Sequence, residues 1–155
     1  MYYLILILSI VFLDQFSKIW IKSNLHLYES IPILGTFIKF TFVENPGIAF
    51  GISVGNFSKV ILVISLIVIV FIIKEIINNK ELYSSIGLAM IVGGAIGNLI
   101  DRILVQIPES NYRGVVDFID IGTLTFRWYT FNIADSFVCI GMFWYLLLSK
   151  FELSK

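Results

Sequence analysis

The chain has one cysteine, Cys139, and one histidine, His26, so it can build neither an internal disulfide nor a zinc site of three or four His/Cys ligands. Charge is scarce as well: 14% of the 155 residues are Asp, Glu, Lys or Arg, against roughly 25% in an ordinary soluble domain. Eleven basic residues balance eleven acidic ones, which leaves no net field to draw the chain to nucleic acid. The opening Met1-Tyr2-Tyr3-Leu4 puts no basic residue before the first apolar run, and no small-residue cleavage pattern follows it, so the expectation is a retained first span rather than a removable signal. What fills the chain is apolar. With 58% hydrophobic residues and a mean hydropathy of +0.92, it reads as an integral membrane protein for which no cofactor is expected.

Apolar stretches near the ~20 residues that a bilayer-crossing helix needs lie at about 2–21, 57–73, 82–100 and 128–149. The expected fold is therefore mainly α: four transmembrane helices in a single domain over 1–155. The first stretch is apolar through Leu13 and then carries Asp14 and Lys18; the third stops at Asp101-Arg102; the fourth contains one charge, Asp135. Trp128, Tyr129, Trp144 and Tyr145 are candidate interface anchors. Residues 24–56 are rich in β-branched and aromatic residues, with turn signals at Pro32, Gly35, Asn45-Pro46-Gly47 and Gly55, and read as a small β-containing element on the membrane surface. The stretch 103–127 is mixed, and Lys74 to Glu81 reads as a tight polar turn.

Alternation of four spans fixes which ends share a compartment. Asp14, Lys18, Asp101, Arg102, Asp117 and Asp135 then gather at one leaflet, together with both long connections. If the fourth helix starts at Trp128, Asp135 lies roughly 10 Å below it at 1.5 Å per residue. The positive-inside count does not orient the chain, because Lys74, Lys80, Lys150 and Lys155 on one side are matched by Lys22, Lys39, Arg113 and Arg127 on the other.

Two aspartates in apolar company carry the functional argument: Asp117 in Arg113-Gly114-Val115-Val116-Asp117-Phe118-Ile119, and Asp135 in Phe131-Asn132-Ile133-Ala134-Asp135-Ser136. A carboxylate within an apolar span costs at least ~2.5–3.5 kcal/mol, which makes it a sign of function with a partner to be named. Asp135 has no basic residue within one turn, so the natural partner is Asp117. Around them, Asn132, Asp135, Ser136 and Cys139 share one helical face, as do Gly94, Asn98 and Asp101 among Gly93, Ala95 and Gly97. Small residues let helices approach closely in lipid. Blander readings stand beside these. Asp14 with Lys18 can be a self-neutralising i, i+4 pair, and Asp101-Arg102 a similar one; Asn98 and Asn132 can be interhelical hydrogen-bond glue; Cys139 reads as a small apolar filler, and His26 as interfacial.

Two carboxyls sharing a site cannot both ionise easily, so the pair holds one proton near neutrality. The ionised member can then activate a water against a peptide carbonyl while the protonated member assists the oxyanion and leaving amine. Two rivals use the same residues. Asp101, Asp117, Asp120 and Asp135 could hold Mg²⁺ in a lipid phosphotransferase, or membrane aspartates could serve a non-enzymatic proton- or ion-conducting protein.

The motifs resemble those of the bacterial lipoprotein signal peptidases, also called signal peptidase II or prolipoprotein signal peptidase. The resemblance rests on Asp14-Gln15-Phe16-Ser17-Lys18, Glu44-Asn45-Pro46-Gly47-Ile48-Ala49-Phe50-Gly51, the run Gly93 to Arg102, Gly114-Val115-Val116-Asp117-Phe118, and Phe131 to Ser136. It implies a four-helix aspartyl endopeptidase of the bacterial cytoplasmic membrane, with both termini cytoplasmic and the site facing outward. Its implied substrates are prolipoproteins bearing a diacylglyceryl cysteine, cut just before that cysteine, with membrane lipid as surroundings and a monomer as the expected state. By motif position, Asp117 and Asp135 carry over as the catalytic dyad, and Asp14, Lys18, Asn45, Gly94, Asn98, Asp101, Arg102 and Asn132 as supporting or substrate-contacting residues, with no metal. Residues 24–56 correspond to the family's surface β-cradle and those around 103–113 to a helical flap.

Overall fold

The structure, a computed structural model, describes residues 2–46, 58–78 and 81–152. Phe57, the Gly47–Gly51 part of the Glu44–Gly51 motif and the Gly55 turn signal lie outside them. The element order is α1 (Tyr2–Asn24), β1 (Ser30–Leu34), β2 (Ile38–Asn45), α2 (Ser58–Asn78), α3 (Leu82–Leu104), β3 (Val115–Ile121) and α4 (Ile133–Glu152), with a short 3-10 turn at Pro108–Ser110. Among the described residues three helices, α1, α2 and α3, are long and apolar enough to cross a membrane, and α4 contributes a shorter apolar stretch, Ile133–Leu148. Their outward faces carry large apolar side chains such as Leu8, Phe12, Ile67 and Phe71, as lipid-facing helices require.

α3 is the central helix. It packs against α1, α2 and α4, burying Leu88, Ala89, Val92 and Leu99 with Ile69 and Ile76 of α2. Its fit to α4 and α1 depends on absent side chains: a Cβ at Gly94 would lie 2.3 Å from the Ala134 carbonyl oxygen of α4, and one at Gly97 2.6 Å from the Asp14 carboxylate of α1.

The sheet is antiparallel, in the order β1-β2-β3. Its third strand comes from the stretch read as a mixed connection, so the surface β element is not confined to 24–56. β2 and β3 pair across some seventy residues of chain, with Asn45 opposite Val115, Glu44 opposite Val116 and Val43 opposite Asp117. Alternation then divides β3. Val116 and Phe118 join Ile21 and Leu25 of α1 and Phe42 of β2 in a core that seats the sheet on the end of α1, while Asp117 points the other way. Between α3 and β3, where the resemblance implied a helical flap, the only helical element beyond the end of α3 is the 3-10 turn.

Four boundaries differ from hydropathy. α1 and α3 continue to Asn24 and Leu104, so Asp101 and Arg102 stand inside a helix rather than after it, and α2 runs through Lys74 and Glu75 to Asn78. α4 begins at Ile133, not Trp128, because 128–132 is tied to β3 instead, Trp128 donating its N–H to the Ile121 carbonyl and Phe131 bridging to Ile119. Asp135 therefore sits in the first turn of its helix, and the 10 Å depth counted from Trp128 does not apply.

One ion cluster pins these elements together. The Lys18 ammonium, fully buried, meets Asp14 Oδ2 at 2.8 Å and Asp101 Oδ2 at 2.9 Å and donates to Asn98 Oδ1 at 3.0 Å. Asp14 Oδ1 in turn accepts the Ala134 N–H at 2.9 Å, and Asp101 Oδ2 accepts the Val116 N–H at 3.0 Å. The cluster thus ties α1 to α3, to the start of α4 and to the start of β3. Replacing Lys18 with Met should strand two buried carboxylates, a loss of about 3–5 kcal/mol. The expected readout is a drop in thermal midpoint of many degrees for purified Lys18→Met; an unchanged midpoint would reduce the cluster to a bystander.

Candidate active site

Asp117 and Asp135 open onto one cavity of about 570 Å³, also lined by Asn45, Asn98, Arg102 and the aromatic rim Trp128–Phe131, a volume within the range of small-ligand sites. They come from β3 and α4, and Asn132 joins them. Its side-chain amide donates to Asp117 Oδ1 at 2.7 Å, to Asn98 Oδ1 at 3.0 Å and to the Val116 carbonyl at 3.2 Å. Its backbone N–H donates to Asp135 Oδ2 at 3.3 Å, while its Oδ1 accepts the Asp135 N–H at 2.9 Å. The last two bonds form a capping box that starts α4 at Asn132. Helix initiation and carboxylate placement are therefore the same event.

Each aspartate has a second amide. Asn45 Nδ2 donates to Asp117 Oδ2 at 3.1 Å, and Asn98 Nδ2 donates to Asp135 Oδ1 at 2.7 Å. Asn98 is the link to the ion cluster, because its Oδ1 is held by Lys18. Asp117 is 3% exposed. Burial, and next the charge of Asp135, push its carboxyl from an ordinary 3.8 up to about 7, against the opposing pull of the Asn45 and Asn132 hydrogen bonds and of Lys18. Arg102, half-buried on α3, faces Asp135, Asp101 and Asp117 with its guanidinium charge.

The other residues singled out from the sequence fall into place around this centre. Asp14, Lys18 and Asp101 lie behind the cavity in the ion cluster, and Gly94 and Gly97 set the α3–α4 approach. Cys139, read as a filler, is exposed on the cavity wall below Asp135. Trp144 donates to the Tyr83 carbonyl at 3.0 Å, while Trp128 and Tyr129 form part of the rim. Asp120 is on the opposite face of β3 from Asp117, bonded by Arg127 Nε at 2.6 Å and Thr41 at 2.8 Å. With Asp101 held by Lys18 and Asp120 by Arg127, the four carboxylates of the magnesium reading do not converge, and among the described residues no group of three or more His, Cys, Asp or Glu is placed to hold a metal ion.

Two contributors were missed. Gln15 Nε2 donates to Asp101 Oδ1 at 3.0 Å, to the Gly97 carbonyl at 3.1 Å and to Asp14 Oδ2 at 3.2 Å, stitching the cluster's two carboxylates together. Lys22, one turn beyond Lys18, binds Glu44 beside Asn45. Both were within reach of the sequence: Gln15 adjoins Asp14, and Lys22 continues the i, i+4 stripe of Asp14 and Lys18.

Known proteins give this geometry its context. Residues 6–151 match the family model described as signal peptidase II, peptidase family A8. The chain is 35% identical to the lipoprotein signal peptidase of Clostridioides difficile over all of this chain and 99% of that one. It is 34% identical to that of Syntrophus aciditrophicus over 86% and 82% of the two chains, and 38% identical to that of Wigglesworthia glossinidia brevipalpis over 88% and 86%. Two solved structures of bacterial membrane enzymes determined by the in meso method superpose with TM-scores of 0.85 and 0.82, at 26% and 27% identity, covering 99% and 95% of this chain and 90% and 91% of theirs. The chain belongs to the signal peptidase II family, the bacterial membrane peptidases that remove signal peptides from prolipoproteins.

Proposed function

We propose that this peptidase is of the aspartic type, with Asp117 and Asp135 as its dyad, and that it cuts diacylglyceryl-modified prolipoproteins just before the lipidated cysteine. The observation that carries the reading is that these two carboxylates, from separate elements, open on one cavity and are bridged by Asn132. Ionised Asp135 takes a proton from the attacking water. Protonated Asp117, kept so by burial up to about pH 7, donates a hydrogen bond to the carbonyl oxygen as it becomes an oxyanion. The proton held by Asp135 then passes to the leaving amine as the C–N bond breaks, and the dyad returns to its single-proton state. Asn45 and Arg102 contact the substrate backbone and head-group region. Asp14, Lys18, Gly94, Asn98, Asp101 and Asn132 hold the frame.

The fourth apolar helix crosses the membrane with the other three, which puts both termini on one side and the cavity on the other; in keeping with the family resemblance, the termini are cytoplasmic, the cavity is extracytoplasmic, and the enzyme acts as a monomer. A lipid-anchored substrate then arrives laterally, and acyl-chain burial at about 25 cal/mol per Å² can position the scissile bond.

Cleavage of a purified lipid-modified prolipoprotein tests the dyad. Asp117→Asn and Asp135→Asn should each reduce kcat by at least ~10²–10⁴-fold while leaving the thermal midpoint near that of the wild type; robust turnover by either removes that residue from the dyad. Asp120→Asn should keep substantial activity, since Asp120 faces Arg127. The raised Asp117 pKa sets the sign of the pH profile: the acid form is lost as pH rises, so kcat/KM should fall through about pH 7. A rate that is flat from pH 6 to 8 would contradict this. Finally, kcat/KM for diacylglyceryl-modified substrate should far exceed that for the same peptide with a bare cysteine in the same detergent, and equal values would rule out positioning by lipid.

A further inference from the structure

Lys22 stands in the last turn of α1, outside the Lys18 cluster, and collects contacts from two other segments, β2 and the connection leading to β3. Its ammonium is ion-paired with Glu44, donates to the Asn111 carbonyl at 3.2 Å, and lies 4.2 Å from the ring centre of Tyr112 and 5.4 Å from that of Phe42. The pair is well shielded, with side-chain exposures of 20% for Lys22 and 7% for Glu44. Removing either partner would leave the other half-desolvated and unpaired, which favours displacement of the segment that carries it.

Glu44 is the next-to-last residue of β2, and the last is Asn45, whose side-chain amide donates to the Asp117 carboxylate. Pro46 follows and brings no N–H to extend the ladder, so the strand end needs other anchors. One is Gly114, whose chain runs so close that a Cβ there would lie 2.4 Å from the Asn45 carbonyl carbon. The other is Lys22. The Asn111 and Tyr112 contacts fasten the connection leading to β3 to the same point, with Asn111 in the left-handed conformation at φ 56°.

We propose that Lys22 is a positioning residue: by clamping Glu44 at the end of β2 and the Asn111–Tyr112 turn beside it, it sets the reach of Asn45 to Asp117. The proposal rests on the dyad reading above. Among the described residues, the groups that face Asp117 are Asp135 on α4, Arg102 on α3, Lys18 on α1 and the amides of Asn45 and Asn132; of these, Asn45 alone adjoins the Lys22 clamp. Its hydrogen bond favours ionised Asp117, so weakening it should make Asp117 hold its proton to higher pH.

The test is the pH dependence of kcat/KM for full-length Lys22→Met, Glu44→Gln and Lys22→Arg on a lipid-modified prolipoprotein, with Asp117→Asn run alongside. Lys22→Met and Glu44→Gln should lose roughly three- to tenfold in kcat/KM, with the high-pH limb displaced upward by ~0.5 unit. Lys22→Arg, which keeps the charge, should match the wild type in both. Unchanged activity, or lower activity with an unmoved pH limb, overturns the proposal. Should Lys22→Met fail to fold, Glu44→Gln decides by the same two readouts. An active Asp117→Asn enzyme would instead defeat the dyad itself, whereas an inactive one with unshifted clamp variants defeats only the role of Lys22.

Discussion

An ammonium with no solvent exposure needs an acceptor for each of its three hydrogens, and Lys18 finds all of them within 3.0 Å on Asp14, Asp101 and Asn98. Desolvating such an ion costs several kcal/mol, recovered only when the geometry of its partners is good. That demand fixes more than the charge. The same carboxylates accept the Ala134 and Val116 N–H groups, so the first turn of α4 and the first residues of β3 are placed by the arrangement that satisfies Lys18. Gly94 and Gly97 let α4 come near enough for those bonds to close.

Beyond the ions the network turns neutral. Asn98 and Asn132 carry the connection from Lys18 to the two aspartates through amides, each of which donates and accepts at once. An amide adds no charge of its own, so the field at the cavity is left to the aspartates, Arg102 and the distant Lys18. The proposed chemistry uses this separation: the burial that raises Asp117 belongs to β3 and its packing, while the more accessible Asp135 stands at the mouth of its helix. The peptidase function of the family and the shape of this network fit one another.

Much of this could be read from sequence because it concerns cost. Asp14, Lys18, Asp101, Asp117 and Asp135 stood out as charges in apolar runs, and the motifs around them resemble signal peptidase II, the family the chain belongs to. β3 was not legible. Val115–Ile121 is a short apolar run whose strand identity depends on a partner about seventy residues earlier, and no local pattern encodes that pairing. The start of α4 was misplaced for another reason: hydropathy cannot see that the stretch from Trp128 to Phe131 is bonded to β3 rather than helical. The Asn132-Ile133-Ala134-Asp135 capping box marked the true start. Asp120, grouped with the other acids by sequence proximity, is separated from Asp117 by the simple alternation of a strand.

The central claim is that the dyad holds one proton near neutrality, and infrared difference spectroscopy of the purified enzyme reads that proton directly. The account predicts a protonated-carboxyl stretch at pH 6 that is absent from Asp117→Asn and disappears in the wild type as pH rises through about 7. Finding both carboxylates ionised at pH 6, or the same band intact in Asp117→Asn, would contradict it.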